Sequence, residues 1–199
     1  MNVRRLIAAG FLGLHRGGSR AYAKGFSLLA AGAFADFGSR TVIQPPVRLS
    51  GELRIAIGSD VFVGAGSWLQ ALGEGEVALT IGDGTSIAGN CVLSAASSIH
   101  LGRNVLIARG VYVSDHIHAY TDTSRAVLEQ GIDRVAPVEI GEGAWLGENV
   151  IVGPGVRIGR GAVIGGNAVV LDNVPDHALA VGVPARVVRR FAEQPEPVS

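Results

Sequence analysis

Ile140-Gly141-Glu142-Gly143-Ala144-Trp145-Leu146-Gly147-Glu148-Asn149-Val150-Ile151-Val152-Gly153-Pro154-Gly155-Val156-Arg157-Ile158-Gly159-Arg160-Gly161-Ala162-Val163-Ile164-Gly165 repeats one unit of six residues: an aliphatic, a glycine, then four freer positions. The unit extends to Val170 on one side. On the other it returns as Leu101, Ile107 and Val113 and, after a slip of two residues, as Ile57, Val63, Leu69, Gly75, Ile81, Ile87, Leu93 and Ile99. Sixteen of these 17 slots hold Ile, Leu or Val, which fill just 56 of the 199 positions, so the spacing is no accident of composition. Gly, Ala or Ser follows the aliphatic in 13 of the 17 cases. A period of six is neither the 3.6 of a helix nor the two of a hairpin sheet. A short strand, a tight corner and another strand per hexad account for it. Three hexads close a triangular coil of about 18 residues with one aliphatic pointing inward from each face. Successive coils then stack as parallel strands about 4.8 Å apart around a continuous aliphatic column. Small residues after each inward aliphatic suit a corner where backbones crowd.

Composition agrees with such a solenoid. The chain is 48% hydrophobic and carries 29 glycines. Its 17 basic and 17 acidic residues cancel, which argues against nucleic acid as a partner because phosphate binding needs a basic face. Cys91 is the single cysteine, so no intramolecular disulfide forms and a reducing compartment, the cytoplasm, is expected. Cys91 sits in a core-like run and reads as packing.

The N-terminal segment is different. Arg4, Arg5, Arg16, Arg20 and Lys24 precede the first acid, Asp36. The apolar stretches Leu6 to Leu14 and Phe26 to Phe34 are each too short to span a bilayer. A helical cap on the solenoid end is the first reading of this segment. The second is an amphipathic segment in peripheral contact with the inner, anionic face of a membrane. The expected division is a basic, apolar cap over 1–50, a β-helix over 51–190 with a loop at 114–137, and a flexible tail over 191–199.

The repeat breaks between Val113 and Ile140. A loop of this length leaving a solenoid points to function. It begins Ser114-Asp115-His116-Ile117-His118 and so holds two of the five histidines. Histidine at the base of such a loop suits proton transfer near pH 7. His116 and His118 both qualify on this ground. Asp115 neighbours His116, but adjacent strand residues point apart, so a capping or solvated role is expected for it.

With its [LIV]-Gly-x-x-x-x units over about residues 55–190, the chain resembles the hexapeptide-repeat acyltransferases, in particular those that acetylate sugars during surface-polysaccharide assembly. The resemblance implies a left-handed parallel β-helix with a protruding catalytic loop and a short C-terminal helix. It implies acetyl-CoA as acyl-donor substrate, no metal, and a homotrimer with active sites in clefts between subunits. Val111-Tyr112-Val113-Ser114-Asp115-His116 matches the family's context for a catalytic histidine, so the general-base role carries over to His116, with His118 as its rival. Gly143-Ala144-Trp145-Leu146-Gly147-Glu148 resembles the family's Val-Trp-Ile-Gly segment, which assigns Trp145 to the acyl-transfer site and the Glu148 backbone amide to the thioester. Gly165-Gly166 and Gly182-Val183-Pro184-Ala185-Arg186-Val187-Val188-Arg189 complete the match. They imply that Gly165, Gly166 and Ala185 meet the pantetheine arm while Arg186 and Arg189 meet CoA phosphates.

Two departures bear on substrate. Leu171-Asp172 stands where relatives that acetylate galactosides or maltose carry Thr-Lys. Ala88-Gly89-Asn90-Cys91 and Leu93-Ser94 stand where those relatives carry Asn-Phe-Asn-Cys and Leu-Asp, so their sugar-gripping Asn and Asp are missing. The expected activity is O-acetylation of a sugar hydroxyl on a glycan precursor. N-acetylation of an amino sugar is the near alternative, and a zinc-dependent γ-type carbonic anhydrase on the same fold is the distant one. The latter needs three convergent histidines; His100 and His118 are one nominal coil apart, but the slip between Ile99 and Leu101 disturbs their stacking.

Overall fold

The computed structural model describes residues 3–191. A helix over Val3–Ala30 leads into a parallel β-solenoid with three faces, wound left-handed. Face A stacks Asp36–Phe37, Ile55–Ile57, Leu79–Ile81, Ile99–Leu101, Val138–Ile140 and Arg157–Ile158. Face B stacks Val42–Ile43, Phe62–Val63, Ser86–Ile87, Leu106–Ile107, Trp145–Leu146, Val163–Ile164 and Ala178–Val181. Face C stacks Arg48–Ser50, Trp68–Ala71, Val92–Ala95, Tyr112–Ser114, Ile151–Val152 and Val169–Val170. The first coil thus lies within residues 36–50, and the cap is shorter than the 1–50 expected from the sequence. The tail expected over 191–199 lies, apart from Phe191, outside the described residues.

Ile57, Val63, Leu69, Ile81, Ile87, Leu93, Ile107, Ile140, Leu146, Val152, Ile158 and Val170 point inward and are almost wholly buried. Each such side chain contributes about 1.5–3 kcal/mol of burial. The slip at Ile99 and Leu101 lies in the corner between faces C and A: Leu101, paired with Ile81, is the inward slot, and the corner after Leu93 holds two residues more than a hexad allows. Face A strands bury both of their outer positions, as in Ile55 and Ile57, Leu79 and Ile81, and Ile99 and Leu101. The early coils are longer than three hexads: Phe37 pairs with Ile57, Ile57 with Ile81, Ile81 with Leu101. Ile140 pairs with Ile158, which restores the 18-residue coil. Gly75 is no inward slot at all; it lies in an exposed corner before Leu79–Ile81 with φ of 119°.

The glycine of each hexad answers to the next coil. A Cβ on Gly147 would stand 2.7 Å from the Gly166 amide nitrogen, and one on Gly141 would stand 2.6 Å from that of Arg160. Backbone contacts this short cannot relax cheaply.

The expected short C-terminal helix is a strand. Arg186–Arg190 pairs antiparallel with Ala178–Val181 and closes the open edge of face B. The β-branched pair Val187-Val188 favours extended backbone, and an arginine-rich edge strand discourages further pairing. At the other end, the last turns of the N-terminal helix cover the first coil. Ala23 and Ser27 are buried there, and the Ile43 amide donates to Ser27 Oγ at 2.8 Å.

Candidate active site

The face C strand Tyr112–Ser114 ends where the chain leaves the solenoid, and the alternation of side chains ends with it. Asp115 therefore turns inward and is fully buried. Its carboxylate accepts the amides of Ala96, Ser97 and Ser98, at 2.8, 2.7 and 2.7 Å, from the corner of the preceding coil. Its fourth partner is His116 Nδ1, at 2.8 Å. The Asp115 carbonyl also receives the Ala136 amide at 2.8 Å, where the excursion returns. Asp115 is thus the joint between two coils, the loop and the histidine. The expectation of a capping role was right for the three amides and wrong for the imidazole, because strand alternation does not extend past Ser114.

The acceptor-only carboxylate makes Nδ1 of His116 the donor, which leaves Nε2 bare to accept a proton. Ser114 fixes the same residue from the other side. Its Oγ donates to the His116 carbonyl at 2.7 Å and accepts the His116 amide at 3.3 Å. His116 is buried, with 9% of its surface exposed. An imidazole so held presents Nε2 in a fixed direction, which is the geometry that proton transfer requires.

Beyond His116 the excursion forms an arm. Ile117–His118 pairs antiparallel with Ile132–Asp133 around a one-turn helix at Val127–Gln130. His118 sits opposite Ile132 and is exposed. The two candidate histidines therefore differ in their surroundings: His116 has a buried carboxylate on one nitrogen, and His118 lies on the solvated arm.

Below Ser114, face C carries a polar column. Ser94 stacks under Ser114 and Gln70 under Ser94. Ser94 Oγ donates to Gln70 Oε1 at 2.8 Å. Ser94 occupies the slot where the sugar-gripping aspartate was missed in the sequence, and the hexad pattern gave no sign that Gln70 would be its partner.

The residues expected on the donor side lie elsewhere. Trp145 points outward from face B and is 49% exposed. Glu148 and Gly166 occupy the corner between faces B and C in successive coils, where the Asn167 amide donates to the Glu148 carbonyl at 2.7 Å. Gly165 lies beside them, and a Cβ there would meet Val181 at 2.7 Å. Ala185 is buried and its amide donates to the Val169 carbonyl at 2.8 Å. Arg186 is exposed and pairs with Asp172 at 2.8 Å, while Arg189 stacks over Phe191. Within one chain Glu148, Gly165 and Gly166 stand at the edge of face C opposite His116. His100 faces outward from face A between Thr80 and Glu139, and His118 lies on the arm. No group of three potential metal ligands converges among the described residues.

Two family models match the chain: bacterial transferase hexapeptide (six repeats) over residues 137–172 and hexapeptide repeat of succinyl-transferase over residues 78–115. A probable acetyltransferase of Mycobacterium tuberculosis is 36% identical over 136 residues, which are 68% of this chain and 44% of that protein, so the chain spans less than half of this relative. A putative lipopolysaccharide biosynthesis O-acetyl transferase of Escherichia coli K12 is 31% identical over 156 residues, 75% of this chain and 79% of the relative. A hexapeptide-repeat acetyltransferase of Vibrio cholerae, solved with acetyl-CoA, superposes with a TM-score of 0.62 at 26% identity, covering 83% of this chain and 76% of that one.

Proposed function

The chain belongs to the hexapeptide-repeat acyltransferases, and on that premise we propose that it transfers acetyl from acetyl-CoA to a sugar hydroxyl of a surface-polysaccharide or glycan precursor, with His116 as general base. The observation that carries the reading is the buried Asp115–His116 pair at the root of the arm. The acceptor hydroxyl attacks the thioester carbonyl while Nε2 of His116 takes its proton. The tetrahedral intermediate then expels the CoA thiolate, which receives that proton from the imidazolium. Asp115 keeps Nδ1 protonated throughout and stabilises the transient positive charge, without itself taking a proton. No acyl-enzyme forms, and Cys91 stays in the core.

The working unit is a homotrimer. Two observations support this. The donor-side corner and His116 lie at opposite edges of face C in one chain, so a cleft between copies unites them. Faces B and C also present apolar side chains outward, among them Leu106, Trp145, Tyr112 and Ile151, each between 42% and 49% exposed. Across the cleft, the Glu148 amide meets the thioester and Trp145 flanks it. Gly165, Gly166 and Ala185 admit the pantetheine arm, and Arg189 and Arg186 meet phosphates, Arg186 exchanging Asp172 for them. The reaction belongs in the cytoplasm, where acetyl-CoA is held and a lone thiol stays reduced.

The test is thioester cleavage from acetyl-CoA with a panel of sugars, nucleotide sugars and amines, run on wild type, His116→Ala and Asp115→Asn. A hydroxyl acceptor should stimulate turnover, and His116→Ala should lose about 10²–10⁴-fold while melting as wild type does. Asp115→Asn should lower kcat by about 10²-fold or more, since its amide can present the wrong tautomer. Full activity in His116→Ala would transfer the base role to His118. A wild type that neither turns over nor binds CoA would end the acyltransferase reading.

A further inference from the structure

The N-terminal helix carries more apolar surface than the solenoid covers. Ala23, Phe26, Ser27 and Ala30 pack it against the first coil. At 100° per residue, Phe11, Leu14, Tyr22, Leu28 and Leu29 fall in one sector on the opposite side. These five side chains are between 64% and 87% exposed. They form a stripe that the solenoid leaves uncovered, with Leu28 at its margin beside Phe37, and it runs about 27 Å, at 1.5 Å per residue from Phe11 to Leu29.

The charge on this helix has one sign. Arg16, Arg20 and Lys24 lie outside the apolar sector, and no acid occurs before Asp36. A second copy laid against the stripe would bring like charges together with no carboxylate of the helix to pair them. An anionic surface would take the stripe and attract the cations of the opposite, polar face across the width of the helix. No helix among the described residues is long and apolar enough to cross a membrane, so contact along the surface is the geometry left to this one. The glycines add a second argument. Gly10, Gly13, Gly17 and Gly18 have open space where a Cβ would be, so no close approach within the chain requires them. They weaken a helix in water, and a surface that binds the apolar stripe would restore its stability.

We propose that this helix docks the protein on an anionic lipid surface, with the Phe11–Leu14–Leu28–Leu29 stripe in the interface and the basic residues on the polar face behind it, drawn by the head-group charge. The proposal does not depend on the acyl-transfer chemistry, and its test does not read that activity alone. The full chain is floated with vesicles of phosphatidylcholine or of phosphatidylcholine with phosphatidylglycerol, beside a Leu14→Glu/Leu28→Glu variant and an Arg16→Glu/Arg20→Glu variant. Binding to the anionic vesicles should exceed that to neutral ones by about tenfold or more and should weaken with salt. Helical circular dichroism should rise on binding. Each variant should lose about tenfold or more in affinity while keeping the wild-type melting temperature and CoA affinity. No flotation with anionic vesicles overturns the proposal, as does equal binding by the Leu14→Glu/Leu28→Glu variant. A fall in oligomeric mass of that variant, measured by light scattering without lipid, would assign the stripe to a contact between copies instead.

Discussion

Face A and faces B and C are built from the same inward aliphatics yet differ on the outside. The outward column of face A runs Ala56, Thr80, His100, Glu139 and Arg157, ending in a 3.3 Å ion pair between the last two. That of face B runs Phe62, Ser86, Leu106, Trp145, Val163 and Leu179. That of face C runs Trp68, Val92, Tyr112, Ile151 and Val169. A repeat that satisfies its own core on three sides has water to face on one and apolar surface left uncovered on two. The contrast teaches that the core and the outer surface use separate residues of each short strand: the inward one closes the solenoid, and its neighbour decides what the face presents.

The contrast can be broken most strongly at the middle of face B. Leu106→Glu should dissociate the proposed trimer and lower turnover by about 10²-fold or more, because an unpaired charge would be buried in the proposed contact between copies. Thr80→Glu, the same kind of change on face A, should leave mass and rate unchanged. Light scattering with the acetyl-CoA assay checks both, and equal behaviour of the two variants would remove the distinction between faces. A smaller effect sharpens the other half of the comparison. Ile140→Ala on face A and Leu146→Ala on face B should each cost about 2–5 kcal/mol in denaturant unfolding, since both side chains fill the same wholly buried column. A large difference between them would mean that the faces differ inside as well.

The smallest effect concerns Cys91, inside the corner between faces B and C. Burial pushes its thiol above the ordinary range, and the Sγ sits 3.1 Å from the Ala108 carbonyl. A raised thiol pKa favours the neutral form in the fold. That contribution to stability is present below the unfolded thiol's pKa and is lost as pH rises above it. Alkylation of Cys91 should therefore require unfolding near neutral pH, and the melting temperature should decline slightly at alkaline pH. Mass spectrometry after brief iodoacetamide treatment checks the first, and labelling at the rate of a free thiol would contradict it.

Much of this was legible along the chain. The hexads from Ile140 to Val170 identify the solenoid because each inward side chain is a local choice repeated at a fixed interval. The excursion at Ser114 was legible for the opposite reason, as the place where the interval fails and histidines appear. The partnership of Asp115 with His116 was not legible. It depends on the chain turning after Ser114 and on three amides at Ala96, Ser97 and Ser98 that belong to another coil. Gln70 and Ser94 escaped notice similarly, since their meeting depends on a coil longer than three hexads.

By itself the sequence determined the repeating strand and corner, the buried column, the position of the break and the basic, acid-free N-terminal segment. These follow from residue type and spacing, which act within a few residues of each other. The tertiary structure alone decided which side chains meet between coils, because register depends on the unequal lengths of the coils that join them. It decided the strand at Arg186–Arg190, whose pairing partner was needed to overcome an ambiguous local preference. It also decided which side of the N-terminal helix the solenoid buries, and so which apolar stripe is left facing outward.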